Sequence, residues 1–167
     1  MPLSGEELAE RYRALCEDSR YADLPSKVEL DAWGRMVMSP PASYYHGVFQ
    51  MKLGAILAPL GGQPSVETPI VTAAGVVVAD AAWASAEFVA RHGDESPLSA
   101  APEICIEVVS PSNSVKEIRE KVDAYLGAGA AEVWVVSPKS RRVEIHGARG
   151  ELSRSRYGVD LSQLFET

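Results

Sequence analysis

The chain has 167 residues, 46% of them hydrophobic and 23% charged, with a net charge of −7. That length and balance suit one globular domain and exclude a disordered chain. No apolar run reaches the length of a membrane span, an N-terminus carrying Glu6, Glu7 and Glu10 does not resemble a signal peptide, and the negative charge weighs against nucleic-acid binding by overall charge alone.

In chain order, Ser4-Gly-Glu-Glu7 has capping-box spacing, and Leu8, Tyr12, Leu15 and Cys16 recur at helical intervals, predicting a helix from about Ser4 to Asp18. "KVELDAWGRMVMS" (Lys27–Ser39) alternates on either side of Trp33-Gly34, a β-hairpin pattern that Pro40-Pro41 ends. A second helix is expected from about Ser43 to Ala58, with Tyr45, Val48, Phe49, Leu53, Ile56, Leu57 and Leu60 as its buried stripe. "SVETPIVT" and "GVVVAD" read as a strand pair, the second strand ending on Asp80. From Ala81 to Ala101 the pattern is weak, and Gly93 to Pro97 marks a loop.

Strand Glu103–Val109, helix Ser114–Gly127 and strand Ala131–Ser137 then form a βαβ block, which implies a parallel pair joined by a right-handed crossover. "RVEIHG" and "ELSRSRY" make a last hairpin. Cys16 and Cys105 lack metal-type spacing and are expected as free thiols in a reducing cytoplasm. Charge is uneven: residues 139–156 carry six bases, Arg141 and Arg142 among them, against Glu144 and Glu151. The stretch is either a solvated hairpin or a phosphate-contacting patch.

Glu107 is the residue that demands an explanation. Its strand is apolar on both faces, and burying an ionised carboxylate there costs several kcal/mol unless something offsets it. Asp80, on an apolar strand of its own, is a second acid able to face the same cleft, and the following helix presents Glu117, Lys121 and Tyr125 on one face. Two carboxylates from neighbouring strands beside a backbone carbonyl make an all-oxygen site of the kind Mg²⁺ takes, and a nearby amine would offset charge developing on a phosphate. Plainer readings exist: Asp80 as a turn cap, Glu107 in a structural ion pair, and Lys121 as a solvated helix lysine answering Glu117. Ser110 and Ser112 have no base to pair with and belong to a strand-to-helix turn.

The stretch "EVVSPSNSVKEIREKVDAYLGAGAAEVWVVSPKSRRVEIH" resembles the Uma-two family of restriction-endonuclease-like proteins, within the PD-(D/E)xK nuclease superfamily. The matching residues are Glu107, Ser110, Pro111, Ser112, Glu117, Lys121, Tyr125, Gly129 and Trp134; upstream, Glu29, Gly34 and His46 fall on the family's hairpin glutamate, glycine and histidine. The resemblance implies an α/β fold with a restriction-endonuclease-like core, a mixed central sheet flanked by helices, plus an N-terminal helix and β-hairpin. Residues 1–26 would be a helical extension, 27–147 the core and 148–167 a C-terminal strand and tail.

It further implies that Asp80, Glu107 and the Val108 carbonyl hold Mg²⁺, with Mn²⁺ as a substitute, and that Lys121 assists. His46, Glu29 and Glu117 would line the site; on the phosphate-patch reading of residues 139–156, Arg141 and Arg142 would contact phosphate. Departures are present: Ala79 replaces the usual proline before the aspartate, Glu117 stands where an aspartate is common, and Val109 occupies the usual lysine position, which moves that role to Lys121. The expected activity is hydrolysis of phosphodiester bonds, in DNA by expectation. Cutting both strands of a duplex with one centre per chain would favour a homodimer. The alternative is a non-catalytic nucleic-acid-binding or assembly module that keeps the fold without turnover.

Overall fold

Apolar runs too short for helices and rich in β-branched residues pair into one sheet, and the amphipathic segments between them cover its faces. The computed structural model describes residues 1–23 and 27–167, so the expected boundary at residue 26 lies outside the described residues. Helix α1 (Gly5–Glu17) is followed by β1 (Val28–Asp31), β2 (Met36–Met38), α2 (Tyr44–Leu57), β3 (Gln63–Thr72), β4 (Gly75–Ala84), α3 (Ala86–His92), β5 (Ile104–Val108), α4 (Val115–Gly127), β6 (Glu132–Ser137), β7 (Arg142–Gly147) and β8 (Gly150–Leu152). Among the described residues, no helix is long and apolar enough to cross a membrane.

The strand order is β2-β1-β4-β5-β6-β7-β8, with β3 added against β4. Among the described residues, β5 and β6 pair in parallel, as the βαβ pattern requires, and the other named strands pair antiparallel. The fold is therefore mixed α/β, as expected. Alternation along β5 explains the layers. Ile104 and Ile106 pack with Leu53 and Leu57 of α2 and with Trp134, while Cys105 faces Val122 and Tyr125 of α4. Helix α1 covers Leu30 and Val76 at the sheet's far end. Both longer amphipathic helices start on capping boxes, Ser4 with Glu7 and Ser114 with Glu117, worth about 1 kcal/mol each.

Strand β4 organises the site. Along one side it pairs with β3 from Gly75 to Ala79 and from Ala81 to Ala84. It also pairs with β1 only at Gly75 and Val76, and with β5 only from Ala81 to Trp83. Between those contacts β1 and β5 diverge, leaving a fork at residues 77–80. The pleat also changes face there: Val77 and Ala79 pack in the α4 cluster, whereas Ala81 and Trp83 pack in the α2 cluster. The β3–β4 ladder skips Asp80 and Glu67, which fall between the pairs Val66–Ala81 and Thr68–Ala79, and Glu67 is a non-glycine residue with a left-handed backbone (φ 49°).

Three expectations need correction. Asp80 does not end its strand, which continues through Ala84; the small residues Ala81, Ala82 and Ala84 carry little strand signal, yet all are buried. The stretch read as patternless contains α3, started by the Ser85 cap on Phe88. Tyr45 is 71% exposed, with its ring against Tyr44, because α2 is apolar nearly all round and its periodicity does not single out one buried face. Cys16 is exposed, Cys105 is buried, and both are free.

Candidate active site

At the fork, side chains do what neighbouring strands cannot. Backbone groups of β4 and β5 left without ladder partners must be satisfied locally when buried. Glu29 Oε2 accepts from the Val78 N–H at 2.7 Å, and Asp80 Oδ2 accepts from the Val108 N–H at 2.7 Å. Lys27 donates to the Val78 carbonyl at 3.2 Å. Two of these acids are thus buried as substitutes for strand pairing, which fixes both carboxylates on the rigid sheet.

The remaining polar atoms converge on a cleft of about 400 Å³. Its floor is Asp80, Glu107 and Val108, its rim Ser39 to Ser43 and Ser110 to Asn113, and Lys27, His46, Glu67 and Lys121 project into it. The Ser43 hydroxyl caps the His46 N–H and starts α2, which brings the imidazole to the cleft; His46 Nε2 lies 3.1 Å from Asp80 Oδ1. Lys27 forms an ion pair with the same oxygen. The Gln50 amide bridges the Asp80 carbonyl at 2.8 Å and the Glu67 carboxylate at 2.7 Å. Lys121 Nζ sits between Glu29 Oε2 at 3.1 Å and Glu107 Oε1 at 3.5 Å, and the Tyr125 hydroxyl donates to Glu107 Oε1 at 2.5 Å.

Electrostatics separates the two acids. Burial opposes ionisation of Asp80, but the His46 hydrogen bond and the Lys27 ammonium outweigh it and hold the carboxyl well below the usual carboxylate range. Burial, reinforced by the charge of Asp80, pushes Glu107 up to about 8 against the pull of Lys121, Lys27 and Tyr125. For Lys121, burial works against the charged form, and Glu107 and Glu29 more than restore it, raising its pKa.

A stability prediction follows for the metal-free protein. Between the ordinary carboxylate range and about 8, folded Glu107 holds a proton that the unfolded chain has released, so its contribution is complete at acid pH and is lost as pH rises through that window. In EDTA, melting temperatures of the wild type should fall across this range, and Glu107→Gln should flatten the fall. An unchanged slope in the variant would show that Glu107 is ionised on folding.

Could the site take a divalent cation? The chain supplies its own comparison. Glu132 is fully buried too, but both of its oxygens are bonded, by Trp134 Nε1 at 2.9 Å, the Ser155 hydroxyl at 2.8 Å and the Arg156 N–H at 2.7 Å. That acid is structural, tying the C-terminal segment to β6. Glu107, 3% exposed, differs: among the described residues its Oε2 receives no hydrogen bond, and the residue lines the cleft. The charges also leave room: among the described residues, Glu29, Glu67, Asp80 and Glu107 share the cleft region with the ammonium groups of Lys27 and Lys121 and the His46 imidazole. The donor set fits a hard divalent ion. A tighter ligand group is formed by His46, Glu67 and Asp80, whose ligand atoms lie within 4.8 Å of one another, and Glu107 is not a member of it.

The sequence-predicted residues divide accordingly. Asp80, Glu107, Val108, Lys121 and His46 line the cleft, and Glu29 lies behind Lys121. Glu117 does not line it: the carboxylate closes the capping box by accepting from the Ser114 N–H at 3.1 Å, so it is no partner for Lys121. Arg141 and Arg142 also stand elsewhere, Arg141 donating to the Phe165 carbonyl at 3.1 Å and Arg142 facing Glu144 at 3.3 Å. Sequence reasoning passed over Lys27, Glu67 and Gln50. Only a lysine bordering the hairpin strand and an acid across from Asp80 in the expected strand pair could have signalled them.

The family model described as "Uma2: Putative restriction endonuclease" matches residues 9–166. No curated protein matches the chain. Among solved structures, it is similar to one described as "a putative nuclease belonging to DUF820 from Anabaena variabilis ATCC 29413", with a TM-score of 0.69 over 87% of this chain and 94% of that one. Identity is 15%, so the likeness is one of fold.

Proposed function

The chain belongs to the Uma2 family, and on that premise we propose that its cleft hydrolyses phosphodiester bonds in DNA, as an Mg²⁺-dependent endonuclease that also accepts Mn²⁺. The observation that carries this reading is the pairing of Asp80 with a buried Glu107 whose second oxygen is left unbonded beside two ammonium groups. Asp80, Glu107 and the Val108 carbonyl would hold the ion, which when bound supplies positive charge against the phosphate as negative charge builds in the transition state.

The chain's own groups do the rest. The Tyr125 hydroxyl fixes the rotamer of Glu107. His46 and the Val108 N–H fix Asp80 through its two oxygens. Lys121, oriented by Glu29, directs its ammonium at the phosphate oxygens from a position that burial keeps preorganised. Cutting both strands would bring two copies together.

A non-catalytic binding or assembly module, without turnover, is favoured over a nuclease by one observation, the net charge of −7 with Arg141 and Arg142 away from the cleft. The two readings part in one assay. Supercoiled plasmid, single-stranded DNA and RNA are incubated with the protein in Mg²⁺, Mn²⁺ or EDTA. Metal-dependent nicking of DNA supports the nuclease. A protein that binds metal and leaves all three substrates whole is the binding module.

A further inference from the structure

We propose that Lys27 is the resident counter-cation of this site, holding Asp80 Oδ1 in the metal-free protein and ceding it when a divalent ion binds. This rests on the metal reading above and adds a residue that the expected ligand set omits. The geometry is specific. Oδ2 of Asp80 accepts from the backbone Val108 N–H, whereas the partners on Oδ1 are side chains, Lys27 and His46 Nε2, which an incoming ion can move. The Lys27 side chain is only 14% exposed and its ammonium is further held by the Val78 carbonyl at 3.2 Å. Its backbone is pinned as well, since the Ser39 N–H donates to the Lys27 carbonyl at 3.0 Å. The lysine is therefore built into the fork rather than draped across it.

A divalent ion on Oδ1 would meet the Lys27 ammonium near contact distance in a buried site, where repulsion is only weakly screened. Lys121 stands in the opposite situation: it touches Glu29 and Oε1 of Glu107, leaving Oε2 free. An ion held between Asp80 and Glu107 would thus displace Lys27 and leave Lys121 in place. The displaced ammonium remains in the cleft as a second positive group for an anionic ligand, available only once the metal has arrived.

The test is Mn²⁺ binding, by calorimetry, to the wild type, Lys27→Met and Lys27→Arg, with melting temperatures in EDTA and in Mn²⁺. Removing the competing charge should tighten Mn²⁺ binding by about tenfold or more in Lys27→Met, while Lys27→Arg, which keeps the charge, binds no tighter than the wild type. Metal-free Lys27→Met should melt below the wild type, and saturating Mn²⁺ should close that gap. Equal or weaker affinity in a folded Lys27→Met overturns the assignment of Lys27 and leaves the metal reading standing. Absence of Mn²⁺ binding in the wild type and in Lys27→Met overturns the metal reading, and this inference with it. Should Lys27→Met fail to fold, Lys27→Gln carries the same comparison with a neutral polar side chain.

Discussion

Lys121→Met should lower metal-dependent cleavage by about 10²-fold or more, the scale on which one preorganised stabiliser of a transition state acts. The substitution keeps the length and much of the apolar stem of lysine and deletes only the charge. Its cost to folding is larger than for a surface lysine. Lys121 contacts two buried carboxylates, and breaking such a pair by removing one partner costs about 3 kcal/mol. Activity must therefore be compared at temperatures where the variant is fully folded. Mn²⁺ affinity should persist, because Asp80 and Glu107 keep the hydrogen bonds from the Val108 N–H and the Tyr125 hydroxyl. A folded variant that cuts as fast as the wild type would remove Lys121 from the chemistry.

Substitutions at Asp80 should have the largest effects of all, and the choice of substitution decides what is learned. Asp80→Ala leaves the buried Lys27 ammonium without its carboxylate and the Val108 N–H without an acceptor, a loss of about 3–5 kcal/mol. Cleavage would vanish, but partly because the fork collapses. Asp80→Asn keeps a carbonyl oxygen for the Val108 N–H but turns an amide donor toward Lys27 and His46 in place of Oδ1. It should melt between Asp80→Ala and the wild type and show no cleavage. The stabilisation by Mn²⁺ seen with wild-type protein should disappear. A Mn²⁺-induced rise in melting temperature as large in Asp80→Asn as in the wild type would place the ion elsewhere. The wild-type rise itself should be moderate, because Lys27, His46 and Lys121 already relieve the repulsion between the two acids that the ion would otherwise remove.

What could be read from the sequence follows from how local each signal is. The βαβ block was legible from Glu103 to Ser137 because strand, helix and strand carry their own periodicities. Glu107 was legible for the opposite reason, as a charge that violates an apolar strand. Glu117 was legible in kind but misassigned: Ser114-x-x-Glu117 has the same capping-box spacing as Ser4-x-x-Glu7, and that spacing outranked its helical interval to Lys121. Lys27 was not legible, because its significance lies in a contact 53 residues away in the chain. The fork at Asp80 was hidden likewise, since it depends on which strands share an edge of β4, a property of topology that no window of residues carries.

That fork has a consequence for how this lineage would decay. Glu29 and Asp80 each stand in for a missing rung of the sheet, so selection for folding alone is enough to preserve them in a relative without turnover. Their retention is accordingly a record of architecture. Glu107 Oε2 supports no rung, and the ammonium of Lys121 donates to no backbone carbonyl among the described residues. Idle relatives should therefore drift first at positions 107 and 121, as a coupled pair, while 29 and 80 stay acidic. Those two positions, more than the aspartate, are the place to look when sorting working members of the family from retired ones.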